Sequence, residues 1–195
     1  MTVKLINWSG DNLLEEVAYI ARVSNPASQE AGENSERLIK YLIRHKHWSP
    51  FEMVSVCMEI ETTRDIARQI LRHRSFSFQE FSQRYAEVEE PPIFKDGRLH
   101  EEWRVKQENV FWAADTAYKW ALLNGLAKEQ ARAVLPEGIT PSRLYMNGTL
   151  RSWIHYIELR SGNGTQKEHA DIAVECANAL EPLFPMIMEF VDGRD

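Results

Sequence analysis

Apolar residues recur along this chain with two different periods, and the switches between them mark out its elements. Leu13, Val17 and Ile20 return every third or fourth position, which predicts a helix over 12–22 with Asp11 placed to cap it. A second helix is predicted over 35–45, with Leu38, Tyr41, Leu42 and Ile43 turned inward. Residues 24–34 between them are rich in Ser, Asn, Pro and Gly and read as loop. Val3 to Ile6 reads as a short strand, and from Phe51 to Glu61 the period falls to two. There Val54, Val56, Met58 and Ile60 share one face of a strand. Thr62 and Asp65 form a capping box for a helix through Leu71, after which SFSFQEF alternates briefly. Further helices are predicted over 101–124, 128–134 and 150–160, and from a Thr165–Glu168 capping box towards Phe190, with a strand over 139–149. Trp103, Phe111, Trp112, Tyr118 and Trp120 are assigned to the core. Strands do not alternate regularly with helices, so the expected class is α+β, with a mixed or antiparallel sheet and several long helices. No repeat or linker interrupts the pattern, and residues 1–195 read as one domain.

Composition narrows the function. Hydrophobic content of 44% and charged content of 27% are globular values, and a net charge of −6 argues against a general nucleic-acid binder. Cys57 and Cys176 sit in apolar patterns and read as buried small hydrophobes rather than a disulfide framework. No apolar run approaches the length of a membrane span, and the opening residues lack a signal-peptide core, so a cytoplasmic location without membrane attachment is expected.

Residues 62–85 go against this acidic background. They carry Arg64, Arg68, Arg72, Arg74 and Arg84 with His73, and every cation between Lys46 and Lys95 is an arginine. Arginine presents a flat fork suited to phosphate or carboxylate, where lysine presents a point charge. With Ser75, Ser77, Ser82 and aromatic rings alongside, the run points to an anionic, ring-bearing ligand. Arg64 is expected on a solvated face answered by Glu61 and Asp65, whereas Arg68 and Arg72 are assigned to function. Arg132, Arg151, His155 and Arg160 are further candidates whose spacing does not show that they meet the first cluster. The chain has no GxGxxG, P-loop, GxSxG or HExxH pattern, and His45 and His47 lack further ligands at useful spacing, so no metal site is expected.

The run RHRSFSFQEFSQR resembles the RHRxxSxNxxSxR signature of the flavin-dependent thymidylate synthases. Arg72, His73, Arg74, Ser77, Ser82 and Arg84 match it, and Gln79 stands where Asn is usual. Supporting stretches also look like that family: Ala21-Arg22-Val23-Ser24, His47-Trp48-Ser49-Pro50-Phe51-Glu52, Ala131-Arg132-Ala133-Val134-Leu135-Pro136, and Leu150 to Arg160. The resemblance implies an enzyme that makes dTMP from dUMP with a methylene from methylenetetrahydrofolate and a hydride passed from NADPH through FAD. It also implies a homotetramer with shared active sites. Carried over position by position, Ser49, Arg72, His73, Arg74, Glu80, Arg151 and His155 would touch FAD, with either Asn147 or Thr149 beside them. Gln69, Arg72, Glu80, Phe81, Ser82, Gln83, Arg84, Arg132 and Arg160 would hold dUMP. Arg160 would stabilise charge on the uracil, Ser82 would contact the pyrimidine without acting as a nucleophile, and His47 would lie near the folate and flavin. Neither cysteine has a visible activating partner, which suits a flavin route that needs no thiol. Two other classes compete: a single-strand nucleic-acid module using the arginine–aromatic run, and a nucleotide sensor that has lost turnover.

Overall fold

The computed structural model describes residues 1–32 and 34–191. Four strands, β1 (Thr2–Trp8), β2 (Ser55–Thr63), β3 (Ser77–Glu80) and β4 (Pro141–Thr149), form one antiparallel sheet in the order β1-β2-β4-β3. The helices are α1 (Leu13–Ala21), α2 (Pro26–Ala31), α3 (Ser35–Arg44), α4 (Arg64–Ile70), α5 (His100–Leu123), α6 (Lys128–Ala131), α7 (Leu150–Arg160) and α8 (Lys167–Leu180), with 3-10 turns at 49–52, 132–134 and 185–190. The α+β expectation holds, as does the period-two reading of β2: Val56, Met58 and Ile60 are fully buried while Ser55, Cys57 and Glu59 are only partly covered. Cys176 is buried as expected, and Cys57 only in part.

Two compact units divide the chain, with β2 and β4 each running from one into the other. The first comprises Met1, Glu61–Arg72 and Gln79–Leu144; the second comprises Thr2–Ile60, His73–Phe78 and the chain from Tyr145 on. In the second, α1 packs on α3, and α8 packs on β1 and α7. Fully buried Trp153 and Tyr156 on α7 supply bulk, and Trp153 donates its indole N–H to the Val56 carbonyl at 3.0 Å. A buried indole donor costs least when it finds such an acceptor.

Several boundaries move for local reasons. Asn12, not Asp11, caps α1, accepting from the backbone N–H groups of Leu14 and Glu15. β2 runs on through Thr62, so Thr63 becomes the N-cap of α4. Asn25 and Pro26 start the short helix α2 inside the expected loop, because Pro is already set for a first helical position. α8 stops at Leu180 rather than reaching Phe190, since Pro185 cannot continue it. Its Thr165 cap is not used: Gln166 takes the N-cap position, without a side-chain capping bond to the helix.

The first unit overturns one core assignment. On α5 only Gln107, Tyr118 and Ala121 are buried, while Trp103, Trp112 and Trp120 are 45%, 62% and 61% exposed. At 3.6 residues per turn, Trp112 and Trp120 lie about half a turn round from the buried stripe. This helix has two apolar faces, and its own unit covers one. Gln107 is buried because its amide brackets the backbone of Lys95, accepting at 2.7 Å and donating at 2.8 Å. Tyr41 on α3 is likewise exposed rather than inward, stacked on His45 at 4.1 Å.

Gly148 on β4 is a point of close approach in the second unit. A methyl group built there would stand 2.4 Å from Cδ1 of Phe76, whose ring also packs edge-on against Trp153 at 4.9 Å. Gly148→Ala is expected to lower stability by about 1–3 kcal/mol through overpacking, read as a reduced urea midpoint with an unchanged slope. An unshifted midpoint would show that Phe76 can yield freely.

Candidate active site

In the second unit the signature turn follows α4: the Phe76 N–H closes back on the His73 carbonyl at 3.2 Å. This sets the His73 imidazole edge-on to Tyr156 of α7, with ring centres 5.0 Å apart. Arg160, the last residue of α7, donates its Nε–H to His73 Nε2 at 3.0 Å. His73 therefore accepts at Nε2 and carries its proton on Nδ1. Burial, then the neighbouring Arg160 guanidinium and His155, push its pKa down to about 4. Buried His169 of α8 is pushed to the same level by burial, Arg160 and His73. The Tyr156 hydroxyl is buried without a hydrogen-bond partner among the described residues, and burial raises its pKa well above the usual phenol value. Arg74, beside His73, is exposed and makes no hydrogen bond or ion pair among the described residues.

A second cluster in the same unit lies where β4 passes into α7. Thr149 caps α7 by accepting from the Ser152 N–H, and it donates its own hydroxyl to Glu52 at 2.7 Å. The other Glu52 oxygen accepts from Arg151 at 2.6 Å. These two bonds hold the Glu52 carboxyl below its ordinary pKa, the Arg151 bond contributing most. Glu52 ends the 3-10 turn that Ser49 begins, so both sides of this cluster come from stretches singled out in the sequence. Asn147, two residues before Thr149, is exposed on β4, and so is His155 on α7.

In the first unit a cavity of about 370 Å³ is lined by Arg64, Gln79, Glu80, Phe81, Ser82, Gln83, Arg84, Tyr85 and Arg132. Glu80 accepts from Ser142 Oγ at 2.9 Å and faces Arg64 at 3.7 Å. The Phe81 N–H bonds to the Arg143 carbonyl at 2.8 Å and ties this segment to β4. Gln83 is 3% exposed, and its amide nitrogen is buried without a hydrogen-bond partner among the described residues. A buried donor left unmade costs about 1–3 kcal/mol, so this amide is a place where a ligand acceptor would be welcome. Arg84 lies over the Tyr85 ring at 5.2 Å, and Arg132 sits on a 3-10 turn rather than within a helix.

The expected dUMP set is thus gathered in part. Glu80 to Arg84 and Arg132 share the cavity, while Gln69 and exposed Arg72 do not line it, and Arg160 belongs to the second unit. Two arginine assignments exchange places. Arg64, expected on a solvated face, is buried at 9% exposure and lines the cavity, because β2 delivers the start of α4 into the packed interior. Arg68 is the surface residue, paired with Glu137. Asp65 instead pairs with Lys95, and Glu61 with Arg143.

Comparison with known proteins gives this arrangement a setting. The family described as thymidylate synthase complementing protein matches residues 4–186. A probable flavin-dependent thymidylate synthase of Paramecium bursaria Chlorella virus 1 is 45% identical over 215 residues, covering 98% of this chain and 99% of that one. A flavin-dependent thymidylate synthase of Synechocystis is 42% identical, covering 88% and 86%. The chain belongs to the flavin-dependent thymidylate synthase family. Among solved structures of similar fold is a UMP/dUMP methylase, PolB, of Streptomyces cacaoi bound with 5-Br dUMP, at 29% identity and a TM-score of 0.84 over 97% of this chain and 93% of that one. PolB is also known bound with 5-Br UMP.

Within this flavin-dependent thymidylate synthase family member, Glu52, Arg64, Ser142 and His169 are polar residues that sequence reasoning missed at the clusters. Glu52 lay inside the quoted His47–Glu52 stretch, so its position in a family motif was the available signal. Arg64 and Ser142 owe their places to the register of β2 and β4, which no local spacing announces.

Proposed function

We propose that this protein methylates dUMP to dTMP, taking the carbon from methylenetetrahydrofolate and the reducing equivalents from NADPH through FAD. The observation that carries this reading is the cavity of the first unit. There the second half of the signature, Glu80 to Arg84, meets Arg132 from far along the chain, around a buried amide donor with no hydrogen-bond partner among the described residues.

The donor sets suit the two ligands. Arg84 and Arg132 offer guanidinium forks to a nucleotide phosphate, and Gln83 offers an amide N–H to a sugar or base oxygen. For FAD, the fitting residues are Arg74 and Arg72, whose exposed guanidinia make no side-chain bond among the described residues, with Arg151, Thr149, Ser49 and His155. Bound FAD would supply hydride. The chain's own work is to hold the two ring systems and to place the Arg160 cation where negative charge develops on the uracil, with Ser82 against the pyrimidine. A homotetramer with shared sites is part of the same proposal, and the uncovered apolar face of α5 bearing Trp112 and Trp120 supports it. So is a cytoplasmic location: among the described residues no helix is long and apolar enough to cross a membrane. The family match runs through both units, so we read the whole chain as one synthase domain.

The test begins with colour. The purified protein is expected to be yellow, its flavin bleached by NADPH and restored when methylenetetrahydrofolate and dUMP are added together, with dTMP formed. UMP run in parallel tells whether the methyl acceptor must be a deoxynucleotide. A colourless preparation that takes up no FAD would overturn the proposal, and a yellow one that forms no dTMP would mark a nucleotide sensor instead.

A further inference from the structure

In this protein Arg64 is answered by the carboxylate of Glu80, Arg68 by Glu137, Arg104 by Glu108, Arg143 by Glu61 and Glu90, and Arg151 by Glu52. Arg160 is not. It is part-buried at the end of α7, has no carboxylate partner among the described residues, and is held through Nε by a neutral ring. That ring is itself packed. His73 meets Tyr156 at 5.0 Å and 87° and His169 at 6.3 Å and 86°, and those two rings lie 5.8 Å from each other, so His73 stands edge-on to a pair formed by one ring from α7 and one from α8.

The difference matters chemically. A carboxylate at this place would orient the guanidinium but cancel much of its charge. A neutral imidazole nitrogen fixes the Nε edge and leaves the positive charge, with both Nη groups, for a ligand. We infer that His73 is a positioning residue for Arg160: its unprotonated Nε2 sets the guanidinium's orientation without neutralising it. The inference rests on the proposed pyrimidine methylation, in which Arg160 is the cation that answers charge on the uracil. It adds to the expected flavin contact of His73 a second task, since the Nδ1–H remains a donor while Nε2 is engaged with Arg160. The same imidazole thereby ties the placing of the cation to whatever its Nδ1–H donates to.

The groups that face the imidazole are consistent with an unprotonated ring. Arg160, His155 and Tyr156 come from α7 and His169 from α8; none is a carboxylate that would favour imidazolium.

Wild type, His73→Gln and His73→Leu should be compared in the flavin-loaded enzyme for thermal stability, flavin content, and the kcat and KM of dTMP formation. Gln can present an amide oxygen near the position of Nε2, whereas Leu presents no acceptor. A loosened catalytic group costs on the order of 100-fold, so Leu is expected to lower kcat by about that factor with KM for dUMP changed far less, while Gln recovers most of the loss. Equal defects in Gln and Leu at equal flavin content, or a normal kcat in Leu, would overturn the inference. The ring nitrogens of 15N-histidine-labelled wild type give a readout independent of turnover. At neutral pH one half-buried histidine should show a bare Nε2 and a protonated Nδ1, and Arg160→Lys should perturb it. A protonated Nε2 at His73 would overturn the positioning role even in an active enzyme. A wild type that binds flavin and shows the bare Nε2 but makes no dTMP would sink the functional reading, and this role with it.

Discussion

Arg160→Ala is expected to cut dTMP formation by about a thousandfold while leaving the flavin bound. A preorganised group aimed at developing charge is worth about 10²–10³ in kcat, and nothing near Arg160 can stand in for it. Among the described residues its side chain hydrogen-bonds only to His73, and the other cations of the second unit that bear on the site, Arg74 and Arg151, belong to the turn after α4 and to the start of α7. The substitution also predicts a titration shift with a definite sign. Arg160 is one of the causes that depress His73, after burial, so removing it should raise the His73 pKa from about 4 towards, but not up to, the ordinary value of 6.5. His169, depressed partly by the same guanidinium, should rise with it. Histidine proton resonances followed against pH would show both. Loss of the flavin on gel filtration would mean that Arg160 serves the cofactor and that its assignment to the pyrimidine is mistaken.

What could be read from the sequence divides by the range of the interaction involved. Period-two burial in β2 was legible because it depends only on which face of one strand meets the core, and Val56, Met58 and Ile60 obey it. The signature run could be singled out as a candidate because arginine forks without lysines stand out in an acidic chain, and its second half does line the first unit's cavity. The Arg64–Arg68 exchange was not legible. A helical face at i, i+4 and i+8 says that the residues are neighbours, but only the register of β2 decides which of them enters the interior. The α5 tryptophans failed for a related reason. Bulk and apolarity say that a face will be covered but not by what, and one of the two apolar faces of α5 is left open by its own unit. Glu52 escaped because a carboxylate in an acidic protein looks ordinary until Thr149 and Arg151 are brought to it from about a hundred residues away. Gln79, the departure from the family signature, is exposed and lines the first unit's cavity.

Arg74→Ala is expected to give a folded but colourless protein. Arg74 is exposed and makes no bond among the described residues, so its removal should move the melting temperature little, in line with surface substitutions that stay within about 0.5 kcal/mol. Its worth lies in the ligand. A charge-assisted hydrogen bond contributes about 1.5–3 kcal/mol, so two bonds to a flavin phosphate would be worth a factor of a hundred or more in FAD affinity, on the order of 3 kcal/mol at least. Arg68→Ala is the matched control from the same run. Its guanidinium is already engaged by Glu137 on an exposed face, where such pairs contribute about 0–1 kcal/mol, and it should leave flavin content unchanged. The pair of variants separates two explanations of the arginine-rich run. If the run acts only as a patch of positive potential, removing either charge should weaken FAD to a similar, salt-sensitive extent. If it acts through one placed fork, Arg74 should matter and Arg68 should not, and the difference should persist at high ionic strength. Flavin absorbance per protein after gel filtration, at low and high salt, decides between them.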